Sequence, residues 1–163
     1  MFTIRTTITF ADIPELKQLY RSTVLTINRK DYTADEVEDW ASCGEDNQHW
    51  LELINTLHFI VAENDEGEAV GFVSISDEGY LHSLFVHKDY QRQGVATLLY
   101  KTAEELAQHR QIVKITSEVS ITARPFFEKQ GFTVDEKQRR KANNLLLTNY
   151  KMSKVLPYTH HSC

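Results

Sequence analysis

From Met1 to Ile8 the chain alternates, placing Phe2, Ile4, Thr6 and Ile8 on one side, and that period of two predicts a first strand. Asp12, Pro14 and Glu15 then open a helix whose face carries Leu16, Leu19, Tyr20 and Thr23. Thr33-Ala-Asp-Glu36 has the form of a capping box ahead of Val37 and Trp40, and Asp46 to Thr56 sets Trp50, Leu51 and Ile54 at helical spacing. The first third therefore holds two or three helices after one strand.

A strand pattern returns at Leu57 to Glu63, turns at Asn64-Asp-Glu-Gly67 and comes back through Ala69 to Ile75 as an antiparallel neighbour. A second turn at Asp77-Glu-Gly79 leads into Tyr80 to Val86, after which Gly94 to His109 aligns Val95, Leu98, Leu99, Thr102 and Leu106 on one helical face. Ile112 to Val119 reads as a strand with Val113, Ile115, Ser117 and Val119 on one face and Lys114, Thr116 and Glu118 on the other. Ala123 to Gln130 forms a short helix ended by Gly131, and Phe132 to Glu136 with Leu145 to Met152 makes a closing hairpin. The result is an α/β (α+β) chain with neither an internal repeat nor a Gly/Ser/Pro-rich linker, read as one domain over 1–156 and a frayed tail over 157–163.

A length of 163 residues suits a single core that buries roughly 70% of the unfolded surface. With 41% hydrophobic and 25% charged residues, the composition excludes disordered, collagen-like and coiled-coil chains. Cys43 and Cys163 are too few for a disulfide framework or a four-cysteine zinc site, and a reducing cytoplasm is the expected location. His160 and His161 lack a third ligand, so no metal is expected. The opening Met1-Phe-Thr-Ile-Arg5 has no leader pattern, and no window reaches the ~18 apolar residues of a membrane span, so neither export nor insertion is expected. The net charge of -5 opposes binding to nucleic acid, and Lys137-Gln-Arg-Arg-Lys141 reads as a solvated hairpin end. The same acidic balance is compatible with a cationic amine as substrate.

Candidate chemistry is concentrated in Tyr90-Gln91-Arg92-Gln93-Gly94-Val95-Ala96-Thr97, between a predicted strand and a predicted helix. Successive backbone N–H groups in such a turn, backed by the helix dipole, form an anion site fit for a pyrophosphate. Gly94 permits close approach and Ala96 keeps the next step small; otherwise Gly94 merely starts the helix.

The run Leu84-Phe-Val-His-Lys-Asp-Tyr-Gln-Arg-Gln-Gly-Val-Ala-Thr-Leu-Leu99, followed after the next strand by Ala123-Arg-Pro-Phe-Phe-Glu-Lys-Gln-Gly-Phe132, closely resembles the two central motifs of the GNAT acetyltransferase family, in the same order. The resemblance extends over residues 1 to about 155, with its specific part between 84 and 132. It implies a mixed, mostly antiparallel sheet of about seven strands flanked by helices, with splayed central strands forming an acyl-CoA cleft. It also implies direct transfer of the acetyl group of acetyl-CoA to an amine of a small molecule or protein, without a metal. By that similarity Arg92, Gln93, Gly94, Val95, Ala96 and Thr97 line the pyrophosphate turn, and backbone groups of Leu84, Phe85 and Val86 pair with the pantetheine arm. A bulge near Ser83 to Phe85 would splay strands ending near Val86 and Val119.

The family's frequent catalytic tyrosine falls at Phe127, which carries no ionisable proton, and its frequent asparagine falls at Ser120. Ser120 can touch the cofactor or cap the short helix. Proton donors left for the departing thiolate are Tyr150, Tyr32, Ser120 and water; His82 or Glu118 can take the amine's proton, unless they project into solvent. Trp40, Trp50, Tyr32 and Phe72 form an acceptor wall or ordinary core, and Asp31, Asp35 and Glu36 meet a positive acceptor or, for the latter two, favour a helix N-terminus. Phe127 also motivates an alternative function, an acyl-CoA binding or sensing module with little turnover. A nucleic-acid module built on Lys137 to Lys141 is the third class, and the overall charge opposes it. Dimerisation is common among related folds, yet no feature of the chain fixes a homodimer.

Overall fold

The computed structural model describes residues 1–157, and the expected tail lies outside the described residues apart from Pro157. Thr3–Arg5 (β1) is the first strand, followed by helices Ile13–Thr26 (α1), Ala34–Ser42 (α2) and Asn47–Thr56 (α3). A meander follows: His58–Glu63 (β2), Ala69–Ile75 (β3) and Tyr80–Val86 (β4). Helix Val95–His109 (α4), strand Lys114–Ser120 (β5) and helix Arg124–Lys129 (α5) lead to the hairpin Thr133–Lys141 (β6) and Leu146–Val155 (β7).

The local causes are visible. Pro14 stands in the first turn of α1, where its missing N–H costs nothing. Thr33 Oγ1 accepts from Glu36 N–H at 3.1 Å while Glu36 Oε1 accepts from Thr33 N–H at 2.9 Å, closing the capping box that opens α2. The strands join in the order β1-β2-β3-β4-β5-β7-β6, all antiparallel except β4 with β5. This is the mixed, mostly antiparallel sheet the resemblance implied. One face packs Leu99, Tyr100, Ala103 and Ala107 of α4 and Phe127 of α5 onto Val73, Leu81, Ile115, Val119 and Met152. The other packs Leu16, Leu19 and Trp50 onto Phe59, Val61 and Phe72, with Val24, Val37, Ala41 and Leu147 in a third cluster beside it. Each fully buried large side chain in these layers contributes about 1.5–3 kcal/mol.

Three details differ from the periodic reading. The first strand is only Thr3–Arg5, because Arg5 turns to Asp12 and Glu63, at 2.7 and 2.9 Å, and draws the chain into a tight turn at Phe10–Asp12. Val113, expected on the buried face, is 65% exposed, since β5 starts after it and follows a positive φ at Gln111. The basic run Lys137 to Lys141 lies within β6 itself, and the turn beyond it is shorter than expected. Charge on that outer strand discourages further strand addition.

Candidate active site

β4 and β5 touch as strands only where Tyr80 meets Thr116 and Leu81 meets Ser117. Immediately afterwards β4 bulges, because Ser74 faces Ser83 and Ile75 faces Leu81, leaving His82 as the extra residue. The bulge thus falls one residue before the expected Ser83 to Phe85, at the point where β4 leaves β5. Beyond it the alternation of strand groups decides what faces the gap. His87 N–H bonds Val70 C=O at 2.8 Å, so Phe85 and Ser83, in step with it, turn their backbone groups to β3, and Leu84 and Val86 turn theirs toward the gap. Val86 C=O already accepts from Gln91 Nε2 at 2.7 Å and from Thr23 Oγ1 at 3.2 Å. Of the expected pantetheine partners, Leu84 therefore offers both backbone groups, Val86 its N–H, and Phe85 its side chain alone.

The gap opens a cleft of about 770 Å³. At one end stands the turn into α4. Arg92 and Gly94, either side of Gln93, both have positive φ, 61° and 83°, in the turn that enters the helix. The first helical bond is Leu98 N–H to Gly94 C=O at 3.0 Å, and among the described residues the N–H groups of Val95, Ala96 and Thr97 have no protein acceptor. A methyl placed on Gly94 would meet nothing within 4 Å, so glycine is required there by its φ, not by crowding. Arg92, Gly94, Val95, Ala96 and Thr97 line the cleft; Gln93 is exposed beside it and turns its side chain to Asp89 C=O at 3.4 Å. Orphan donors, a helix N-terminus and an arginine together fit a pyrophosphate.

The other end gathers His82, Tyr80 and Glu118 with His49 of α3. The His82 ring is edge-on to Tyr80 at 6.2 Å. His82 keeps an exposed surface, yet desolvation by the protein around it, reinforced by His49 and opposed by Glu118, holds its imidazole below the ordinary value near 6.5. Burial and the neighbouring Glu118 push the Tyr80 phenol up. Glu118 Oε1 lies 3.5 Å from Arg140 Nε.

The remaining candidates have other engagements. Ser120 Oγ lines the cleft and accepts from Ala123 N–H at 3.0 Å, bracing the entry to α5. Tyr32 Oη donates to Thr148 C=O at 2.6 Å and accepts from Ile121 N–H at 2.9 Å, and burial raises its pKa to about 12. Tyr150 is not among the residues lining the cleft: opposite Val119 on β7, it lies under the Arg124 guanidinium, 4.6 Å from the ring centroid. Phe127 does line it, 3% exposed and edge-on to Phe126 and Phe132. Trp40, Trp50, Tyr32 and Phe72 all border the cleft, whereas Asp31, Asp35 and Glu36 do not. Sequence reasoning did not single out Thr23, Tyr80 or His49 as site residues, and it noted Gln91 only as part of the turn segment. The lone polar Thr23 on an apolar helix face was the signal that could have found one of them.

A split parallel strand pair facing a helix N-terminus is the architecture of an enzyme that draws an acyl carrier into its sheet. Residues 28–154 match the family described as Acetyltransferase (GNAT) domain, so the chain belongs to the GNAT family and is an N-acetyltransferase. It is 30% identical over 141 residues to a protein named Uncharacterized N-acetyltransferase YafP of Escherichia coli K12, covering 86% of this chain and 88% of that protein. A GCN5-related N-acetyltransferase of Rhodopseudomonas palustris superposes with a TM-score of 0.90 at 26% identity, covering 94% and 95% of the two chains. PaiA N-acetyltransferase of Thermoplasma acidophilum, solved with coenzyme A, gives 0.79 at 18% identity, over 96% and 99%. Among the described residues no helix is long and apolar enough to cross a membrane, and no three metal-ligating side chains cluster.

Proposed function

We propose that a single catalytic domain over residues 1–156, acting in the cytoplasm, binds acetyl-CoA in this cleft and acetylates a primary amine. The observation that carries the reading is the pairing of two features on one cleft: free N–H donors at the start of α4, and a histidine with a depressed pKa beside a carboxylate where the strands part. PaiA, which shares the fold, is solved in complex with coenzyme A, and that supports binding of the acetyl-carrying form here. Arg92, Gln93, Gly94, Val95, Ala96 and Thr97 would hold the pyrophosphate, and Leu84 with the Val86 N–H would hold the pantetheine arm as an added strand. Ser120 and Phe127 would border the arm.

When bound, acetyl-CoA supplies a thioester carbonyl for attack. The protein must first make the amine nucleophilic. A neutral His82 accepts the ammonium proton, and Glu118 stabilises the imidazolium that forms. As the nitrogen bonds to the acyl carbon, the C–S bond breaks and the thiolate leaves. Phe127 cannot protonate it, the Tyr32 proton is already donated to Thr148, and Tyr150 is off the cleft. On becoming an amide the nitrogen sheds its second proton, and Ser120, whose O–H is not donated elsewhere, or water passes that proton to the thiolate, a thiol of pKa near ~8.5 tolerating the slow transfer.

The test is release of free thiol from acetyl-CoA across a panel of amines, followed against pH. His82 works only when neutral, and its conjugate acid titrates below 6.5. The rate should therefore fall as pH descends through that depressed value, and His82→Gln should lower the rate and remove that limb. An unchanged profile in the variant would assign the proton to another base.

A further inference from the structure

The basic run Lys137 to Lys141 carries one side chain that β6 delivers to the proton-handling end of the cleft. Register sets Ser120 opposite Asn149, Asn149 opposite Gln138, and Leu147 opposite Arg140. Arg140 lies two residues beyond Gln138 and Glu118 two before Ser120, so the guanidinium and the carboxylate share one sheet face. Both residues line the cleft. Tyr80, beside His82, responds to each: burial raises its phenol most, Glu118 raises it further and Arg140 draws it back. The hairpin that presents Arg140 is held by Asp39 of α2, which accepts from the N–H groups of Asn143, Asn144 and Leu145 at 2.9, 3.0 and 3.0 Å.

Arg140 has binding capacity to spare. Its side chain is 58% exposed, and its nearest carboxylate oxygen is Glu118 Oε1, 3.5 Å from Nε. Among the described residues it donates no hydrogen bond to protein, whereas its neighbour Arg139 donates to Leu146 C=O at 3.1 Å. An exposed ion pair at that distance holds little. Glu118 is also the one carboxylate lining the cleft among the described residues, and Lys141, next in the chain, lines it too. Arg140 and Lys141 against Glu118 leave one surplus positive charge on this side. A carboxylate neutralises it, and a phosphate dianion overshoots it. The planar fork of the guanidinium matches a carboxylate in two parallel bonds.

We propose that Arg140 is a specificity residue that takes the carboxylate of the acceptor, so that the class acetylated is an aminocarboxylate whose amine reaches His82. This rests on the N-acetyltransferase reading and adds the class of acceptor. A substrate carboxylate on Arg140 shares the guanidinium with Glu118 and frees Glu118 to face the imidazolium of His82.

The experiment sets glycine, β-alanine and 4-aminobutyrate against glycinamide, β-alaninamide and 4-aminobutyramide, each with acetyl-CoA. Each pair differs only in the group at the far end. A carboxylate favours the ammonium form of its own amine, so the carboxamides hold the larger neutral fraction and a preference for the acid cannot come from the amine. For the pair whose length suits the cleft, wild-type kcat/KM should favour the acid by about tenfold or more, the factor that 1.4 kcal/mol represents. Arg140→Gln should bring that ratio near one, and Arg140→Lys, which keeps the charge and loses the fork, should keep part of it. Arg140 is exposed on an outer strand, so neither variant removes a buried contact. A merely structural arginine would lower acid and amide alike and leave the ratio standing. That result would overturn the proposal, as would a wild-type ratio near one at all three lengths, or O-phosphoethanolamine preferred to every acid. Acetyl-CoA bound with none of the probes acetylated would also overturn it and leave the family activity standing. Folded protein that took up no acetyl-CoA would overturn the underlying reading as well.

Discussion

Gly71→Ala is a one-carbon test of how α4 meets the sheet. Gly71 lies on β3 opposite Val86, under the first two turns of α4. A Cβ there would stand 2.9 Å from Leu99 Cδ1, 2.9 Å from the Phe85 carbonyl oxygen and 3.1 Å from Val95 Cγ1. Leu99 and Val95 are 0% and 1% exposed, so neither has room to retreat, and the Phe85 oxygen moves only with β4 itself. No positive φ is involved, which leaves sterics as the cause. Overpacking of this kind costs about 1–3 kcal/mol. Alanine narrows the unfolded ensemble and offsets about 0.4–1 kcal/mol of that. The net loss is near 1–2 kcal/mol, or a fall in Tm of roughly 2–8 °C for a chain of this size. Because the displaced atoms are the start of α4 and the free stretch of β4, acetyl-CoA affinity should weaken as well. Differential scanning fluorimetry and calorimetry read the two effects. An unchanged Tm with unchanged affinity would refute the claim that Gly71 sets this spacing.

Gly94→Val should weaken acetyl-CoA binding far more than it weakens folding, because a β-branched residue at φ 83° either strains by about 1–2 kcal/mol or rotates the N–H groups away; equal affinity by calorimetry would contradict the turn. Phe127→Tyr should raise turnover without tightening acetyl-CoA, since it adds the missing acid at a cleft-lining ring, and an unaltered rate would favour proton delivery by Ser120 or water. Lys154→Met strands the Glu104 carboxylate, now held at 3.2 and 3.3 Å between side chains 18% and 11% exposed, and should cost roughly 3 kcal/mol in a urea titration. A loss below about 1 kcal/mol would place that pair among weak surface bridges.

What could be read from the chain was whatever one element decides alone. The capping box at Thr33 and the strand runs of β3 and β4 between their turns are local and stand where their patterns put them, whereas the buried face of α4 centres on Val95, Leu99, Tyr100, Ala103 and Ala107, leaving the expected Leu98, Thr102 and Leu106 half-buried. Register is a property of two strands. The residue chosen for the bulge, His82 instead of one in Ser83 to Phe85, depends on where β5 stops accompanying β4. Tyr150 and Val119 share a face because of their pairing, and that pairing sends the tyrosine under Arg124. Asp39 and Asn143 have no pattern in common and meet only because the hairpin folds back onto α2. The geometry of the turn into α4 was legible because it resides in consecutive residues. At the other end of the cleft His82 and Glu118 were read as candidates, whereas their meeting with His49 and Tyr80 was not, because the four come from three separate elements.

The parallel contact of β4 with β5 spans two residues on each strand, so the sheet is two plates joined along a short hinge line, with α4 bracing one side. A molecule lying between the plates would act as a second fastening. Occupancy would then stiffen the enzyme as a mechanical whole, and amide exchange in β4 and β5 should slow together on loading, away from the turn proposed for the carrier's phosphates.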